Sequence, residues 1–170
     1  MLKVEKGVKT SRLEIRKISI LGIFIAISVV GSFIKIPSPF GTVAFDSAPA
    51  FLAALLLGPT SGALVGFMGH ILTSLNVGFP LSIPIHLFIS LEMAFVCAVV
   101  GIIYKKGFLI PALMVGVLLN GVVLPASFIL IPQFGVSFFV AMIIPLVIGS
   151  ALNLIVSGTL VRYLKGRIKI

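Results

Sequence analysis

Twelve of the thirteen Lys and Arg residues fall into three clusters, and the apolar stretches between them restrict the chain to a small set of membrane topologies. The clusters are Lys3, Lys6, Lys9, Arg12, Arg16 and Lys17; then Lys105 and Lys106; then Arg162, Lys165, Arg167 and Lys169. Basic residues resist translocation and are attracted to anionic lipid on the cytoplasmic face, so all three clusters are expected inside. The apolar spans between them must then be even in number, with both termini cytoplasmic.

Hydrophobic residues make up 59% of the 170 and charged residues only 10%, a balance that a soluble domain of this size could not bury. The net charge of +9 would ordinarily raise nucleic acid as a partner, but here the basic residues flank apolar runs, so they read as a topology signal and a contact with lipid headgroups. No nucleic-acid partner is expected. The single cysteine, Cys97, lies within an apolar run and reads as packing, which leaves no disulfide framework and no thiol metal cluster. The first apolar run, Ile18 to Ile36, is too long for the core of a signal peptide and is followed by Lys35, Pro37 and Pro39 rather than a small-residue cleavage site. It is expected to stay as a membrane helix.

The expected fold is an all-α integral membrane protein, a six-transmembrane-helix bundle with both ends inside. A basic leader covers 1–15, the membrane domain 16–166 and a basic tail 167–170. The leader reads either as a short interfacial helix, with Glu5 four residues before Lys9, or as a frayed segment. Helix 1 is expected from Arg16 to Lys35, about the ~20 residues that cross hydrocarbon. The prolines of Ile36 to Thr42 then impose an outer loop. Helix 2 is expected to start at an Asp46-Ser47 cap with Pro49 in its first turn, and to end early at Gly58-Pro59. Helix 3 follows to Val77, helix 4 runs from Pro84 to Tyr104 and helix 5 from Phe108 to Leu124. Pro125 to Gly135 reads as a third outer loop before helix 6, Val136 to Leu164, kinked at Pro145.

Polar groups are costly inside lipid, so each intramembrane ionisable residue is a functional candidate. The candidates are Asp46, His70, His86 and Glu92. At ~1.5 Å per residue, His70 and Glu92 lie at similar depth on oppositely running helices and are placed to meet, either as a self-satisfying pair or around a ligand. Asn120 is slightly shallower. These groups gather in the outer half, while Asn153, within the Gly149, Asn153, Ser157 stripe, reads as packing. Gly58, Gly62, Gly66 and His70 recur every four residues and read as a close-packed seam. Gly22 and Ala26 repeat the theme on helix 1, either internally or facing outward. The spacing of His70, His86 and Glu92 matches no metalloprotease pattern, and the sequence shows no Ser or Cys with a nearby base and no phosphate-cradling Gly-rich loop ending in Lys. No enzyme activity, metal or cofactor is expected.

The segments Gly31-Ser32-Phe33-Ile34-Lys35-Ile36-Pro37-Ser38-Pro39, Gly41-Thr42-Val43-Ala44-Phe45-Asp46-Ser47, Leu57-Gly58-Pro59 and Gly62-Ala63-Leu64-Val65-Gly66 resemble the substrate-binding S components of energy-coupling factor (ECF) vitamin transporters. The resemblance implies capture of a micronutrient from outside. It also implies docking onto a transmembrane coupling subunit with two ATPase subunits, and a lid formed by Pro37 to Phe45. It further implies that a small-residue pattern on helix 1, here Gly22 and Ala26, faces the coupling subunit. The stretches Asp46-Ser47-Ala48-Pro49, Gly69-His70 and Pro84-Ile85-His86-Leu87 resemble the α-ribazole branch, linked to cobamide salvage. On that reading Phe40, Phe45, Phe79 and Phe88 stack the ring while Asp46, Glu92, His86 and Asn120 bind ribose hydroxyls, with His70 beside them. Pantothenate or another vitamin, or a self-sufficient carrier or channel, remains the alternative.

Overall fold

The computed structural model describes residues 2–39 and 41–167. Phe40 and Lys169 therefore lie outside the described residues. Helix α1 spans Leu2–Gly31, so it runs through the basic stretch rather than starting at Arg16. That stretch contains no proline and is rich in Lys, Glu, Arg and Leu, all good helix formers, so nothing stops the helix from beginning early.

The outer loop expected after helix 1 is instead an antiparallel hairpin of β1 (Lys35–Ser38) and β2 (Gly41–Ala44), with Lys35 opposite Ala44 and Ser38 opposite Gly41. Pro37 is tolerated because each strand of a two-stranded ribbon is an edge, where a missing N–H need not break a ladder. One further bond, from the Phe45 N–H to the Ile34 carbonyl at 2.9 Å, extends the ribbon.

Helix α2 (Ala48–Leu57) is short, as its Gly58-Pro59 stop predicts, and α3 (Pro59–Asn76) follows at once. The cap of α2 differs from expectation. Neither Asp46 nor Ser47 caps it with a side chain; the Ala48 N–H is taken by Asn153 Oδ1 of α6 at 2.8 Å. Helix α4 spans Ile83–Lys105 and α5 Leu109–Leu118. The chain then continues as a π-helical turn (Leu119–Val123), where the last turns of helix 5 were expected, and a 3-10 helix (Pro125–Leu130), where an irregular loop was expected. Pro125 opens the 3-10 helix, a position where its missing N–H is harmless. Helix α6 (Gly135–Leu164) carries Pro145 in its interior.

The glycines of α3 bring three different neighbours onto it. A Cβ at Gly62 would collide with Ala54 of α2, one at Gly66 would meet Cys97 Sγ of α4 at 3.0 Å, and one at Gly69 would meet Ser28 of α1 at 3.0 Å. Backbones can approach this closely only where side chains are absent. The core so formed includes Phe51, Val65, Val96, Cys97, Val100 and Leu154. The outward surface is itself apolar, with Ile18, Phe95, Met114, Ile144 and Ile155 exposed. Three stretches are long and apolar enough to cross a membrane, Ile83–Lys105, Leu109–Leu130 and Gly135–Leu164, with mean hydropathies of 2.3, 2.2 and 2.4.

Candidate functional site

The shortness of α2 creates the site. Its C-terminal end sits beside the C-terminal end of α4, since a Cβ at Gly58 would lie 3.2 Å from Lys105 Cε. Ten residues rise only ~15 Å, against ~35 Å for the 23 residues of α4, so α2 fills about half of its column. The other half is a cavity of about 380 Å³, bordered by the hairpin, the turn before α2, the C-terminal half of α3, the N-terminal half of α4, the π turn and the middle of α6. Ligand pockets commonly span ~300–1,000 Å³, so this one suits a small molecule rather than an intact macrocycle.

Its polar groups lie mainly on α3, α4 and α6 and in the turn before α2. Asp46 borders it in the turn before α2, and Thr73 of α3 lies beside the Asp46 carboxylate. The Thr73 hydroxyl is buried yet completes no hydrogen bond. His70 Nε2 stands 3.2 Å from His86 Nδ1, and Ser74 Oγ stands 2.9 Å from the same His86 nitrogen. Asn120 sits in the π turn, whose altered pitch sets its side chain against α6, where its Nδ2 donates to Ser150 Oγ at 2.8 Å. The apolar wall consists of Ile89, Met93, Met142 and Leu146, and Lys35 of β1 is the cation on the border.

Asp46, His70, His86 and Asn120, expected at the site from sequence, are thus brought together around one cavity. Glu92 is placed elsewhere. It accepts a hydrogen bond from Ser127 Oγ of the 3-10 helix at 2.9 Å, so His70 pairs with His86 and the expected His70 and Glu92 meeting does not occur. Phe45, Phe79 and Phe88 also stand off the cavity border. Phe79 packs on the His86 ring at 5.8 Å and Phe88 on Phe128 at 6.1 Å. Asn153, expected as packing alone, both borders the cavity and ties it together: its Nδ2 donates to the Gly149 carbonyl at 2.8 Å and reaches the Ala44 carbonyl at 3.4 Å. Thr73, Ser74 and Ser150 were not singled out from sequence. The only signal for them was their one-turn spacing from His70 and Asn153 on the same helices.

The family model described as the S component of ECF-type riboflavin transporters matches residues 12–166. The chain belongs to this family. A solved S component of a bacterial ECF transporter has the same fold, with a TM-score of 0.72 at 26% identity over 92% of this chain and 99% of that one. Two UPF0397 proteins are similar over a shorter stretch: one from Lactobacillus delbrueckii subsp. bulgaricus is 45% identical and one from Clostridium perfringens 40% identical, each over 67 residues. The match spans 38% of this chain and 36% of each of those relatives. S components are membrane-embedded binding subunits of transporters and not enzymes, and in this one the recess left by α2 is the candidate binding site.

Proposed function

We propose that this S component captures a neutral micronutrient built from a flat fused ring and a hydroxylated arm, with α-ribazole as the ligand, and passes it to an ATP-driven partner module. The observation that carries the reading is the division of the cavity. Ile89, Met93, Met142 and Leu146 offer a ring an aliphatic and thioether surface, whereas Asp46, Thr73 and Asn120 offer hydroxyls their partners. Thioether contacts with an aromatic ring contribute ~0.3–1.5 kcal/mol each, so stacking on Phe is not required. Lys35 and Asp46 balance in charge, which suits an uncharged ligand better than an anion such as pantothenate. The family description favours a second ligand, riboflavin, which has the same two halves but is bulkier.

The topology follows from charge. Arg16, Lys17, Lys105, Lys106, Arg162, Lys165 and Arg167 lie at the end of the bundle away from the cavity, where Lys165 Nζ also sits 5.4 Å from the Tyr104 ring. Six spans with both termini cytoplasmic put that end inside and the cavity at the outer face, under the hairpin as a lid. A self-sufficient channel is disfavoured because the core residues Phe51, Val96, Val100 and Leu154 close the half below the cavity.

Mass spectrometry of the small molecule that copurifies, followed by calorimetric titration with α-ribazole and with riboflavin, tests the ligand. Binding of riboflavin alone would replace α-ribazole, and binding of neither would remove the ligand class. Asp46→Ala is expected to weaken binding by ~10–100-fold, the worth of a hydrogen bond to a charged group. Glu92→Gln, which keeps an acceptor for Ser127, is expected to leave affinity nearly unchanged. Equal losses in the two variants would return Glu92 to the ligand.

Docking is assigned to the exposed small residues of α1. A side chain added at Gly22 meets nothing within 4 Å, and Ala26 one turn on is also exposed. Gly22→Leu is therefore expected to retain ligand binding and stability while reducing copurification with the coupling subunit and its ATPases. Undiminished assembly would take this face out of the interface.

A further inference from the structure

The hydrogen bonds around the two histidines determine which nitrogen of each ring carries a proton. The Leu81 backbone N–H, which can only donate, points to His86 Nε2 at 3.4 Å. His86 Nε2 is therefore an acceptor, and the neutral ring carries its proton on Nδ1. Ser74 supplies an independent constraint. Its hydroxyl donates to the His70 carbonyl at 2.7 Å, so toward His86 Nδ1, 2.9 Å away, its oxygen can only accept. Both constraints put the proton on His86 Nδ1. That same Nδ1 lies 3.2 Å from His70 Nε2, which must then be an acceptor in turn. His70 is left with its proton on Nδ1, an atom that has no hydrogen-bond partner among the described residues, on a ring that borders the cavity.

We infer that His86 is a positioning residue that fixes His70 as an Nδ1–H donor toward the ligand, so the ligand must present a hydrogen-bond acceptor there, an unprotonated ring nitrogen or a carbonyl. The inference rests on the binding-site reading above and narrows it. A cationic amine at that position would set N–H against N–H and is rejected. A benzimidazole imine nitrogen and the carbonyls of an isoalloxazine both meet the requirement. The relay also couples the site to the loop before α4, where Phe79 and Ser82 hold positive φ angles of 50° and 95° and Leu81 supplies the first donor of the chain. Side chains seldom adopt such conformations, so the loop is held by its contacts, with the Phe79 ring on His86 among them.

The chain has only two histidines, so nitrogen NMR on histidine-labelled full-length protein, purified in nanodiscs without a polyhistidine tag, reads the relay directly. The wild type is expected to show both rings neutral with the proton on Nδ1. His86→Leu is expected to release His70 to the Nε2–H form, and His86→Asn, whose amide N–H can replace the Nδ1–H, is expected to restore it. An Nε2–H or doubly protonated His70 in the wild type, or a His70 signal unchanged by His86→Leu, would overturn the inference. Adding α-ribazole or riboflavin, whichever binds, is expected to shift the His70 Nδ1 resonance; binding without that shift would overturn the acceptor requirement. Binding of neither probe would defeat the ligand class proposed above, and the acceptor requirement with it, while the proton positions stand or fall on the spectrum of the ligand-free protein.

Discussion

Asn153→Ala is expected to lower stability by about 2–3 kcal/mol and to weaken ligand capture at least ~tenfold, although residue 153 sits on α6 and the elements it secures lie more than a hundred positions earlier. Its Oδ1 takes the Ala48 N–H at 2.8 Å, a helix-terminal donor that no nearby side chain satisfies. Its Nδ2 reaches back to the Ala44 carbonyl at the end of β2. Leaving a buried donor unpaired costs ~1–3 kcal/mol, and the vacated side-chain volume adds to that. The turn between those two anchors carries Asp46, so losing them also frees a carboxylate that borders the cavity. Ser157→Ala is the control. Its Oγ has one proton for two carbonyls, Asn153 at 2.7 Å and Ala48 at 2.8 Å, so no acceptor depends on it alone and the expected loss is ~1 kcal/mol or less. Thermal unfolding in detergent, followed by circular dichroism, separates the two. If Asn153→Ala melted no earlier than Ser157→Ala, the cap would not come from α6.

Gly62→Leu should give no folded protein at all. A Cβ at this position would overlap the Ala54 Cβ and come within 2.6 and 2.8 Å of its Cα and N, so relief requires moving backbone rather than rotating a side chain. Gly62→Ala alone is expected to cost ~1–3 kcal/mol, the usual range for overpacking, and the three further carbons of leucine have nowhere to go. The same substitution at Gly22, where space is open, should fold normally. The yield of monodisperse protein in detergent tests the contrast, and a well-behaved Gly62→Leu protein would show that α2 and α3 are not held in contact.

Much of the helical framework was legible because membrane helices are punctuated by residues with a local mechanism. The Gly58-Pro59 stop falls where the sequence puts it, and α3 and α4 end at Asn76 and Lys105, each one residue from the expected Val77 and Tyr104. Asp46, His70, His86 and Asn120, all expected in the same half of the bundle, border one cavity, whereas Glu92, expected at the depth of His70, does not. The hairpin was not legible, because two prolines in the seven residues Ile36 to Thr42 signal a loop, and it is the edge position in a two-stranded ribbon that makes Pro37 acceptable. The helical run from Pro125 to Leu130 was missed for a related reason: Pro125 ends regular α-helix, but the chain evades the break by changing pitch, through a π turn within the expected helix 5 and then a 3-10 helix. Long-range pairings were the hardest to foresee. Nothing near Ala48 announces that its donor is met from position 153, and nothing near Glu92 announces Ser127. The phenylalanines misled in a different way, since aromatic content near a site says nothing about which way the rings turn, and Phe79 and Phe88 turn toward protein partners.

Since the recess is simply the part of a helical column that α2 fails to occupy, the room for cargo is set by how many residues separate Asp46 from Gly58. Each additional turn there would raise the floor by ~5.4 Å and each deleted turn would lower it by as much. Within this architecture, the reach of the cargo along the membrane normal can therefore be tuned by insertion or deletion in one short helix, without redesigning any side chain that touches it.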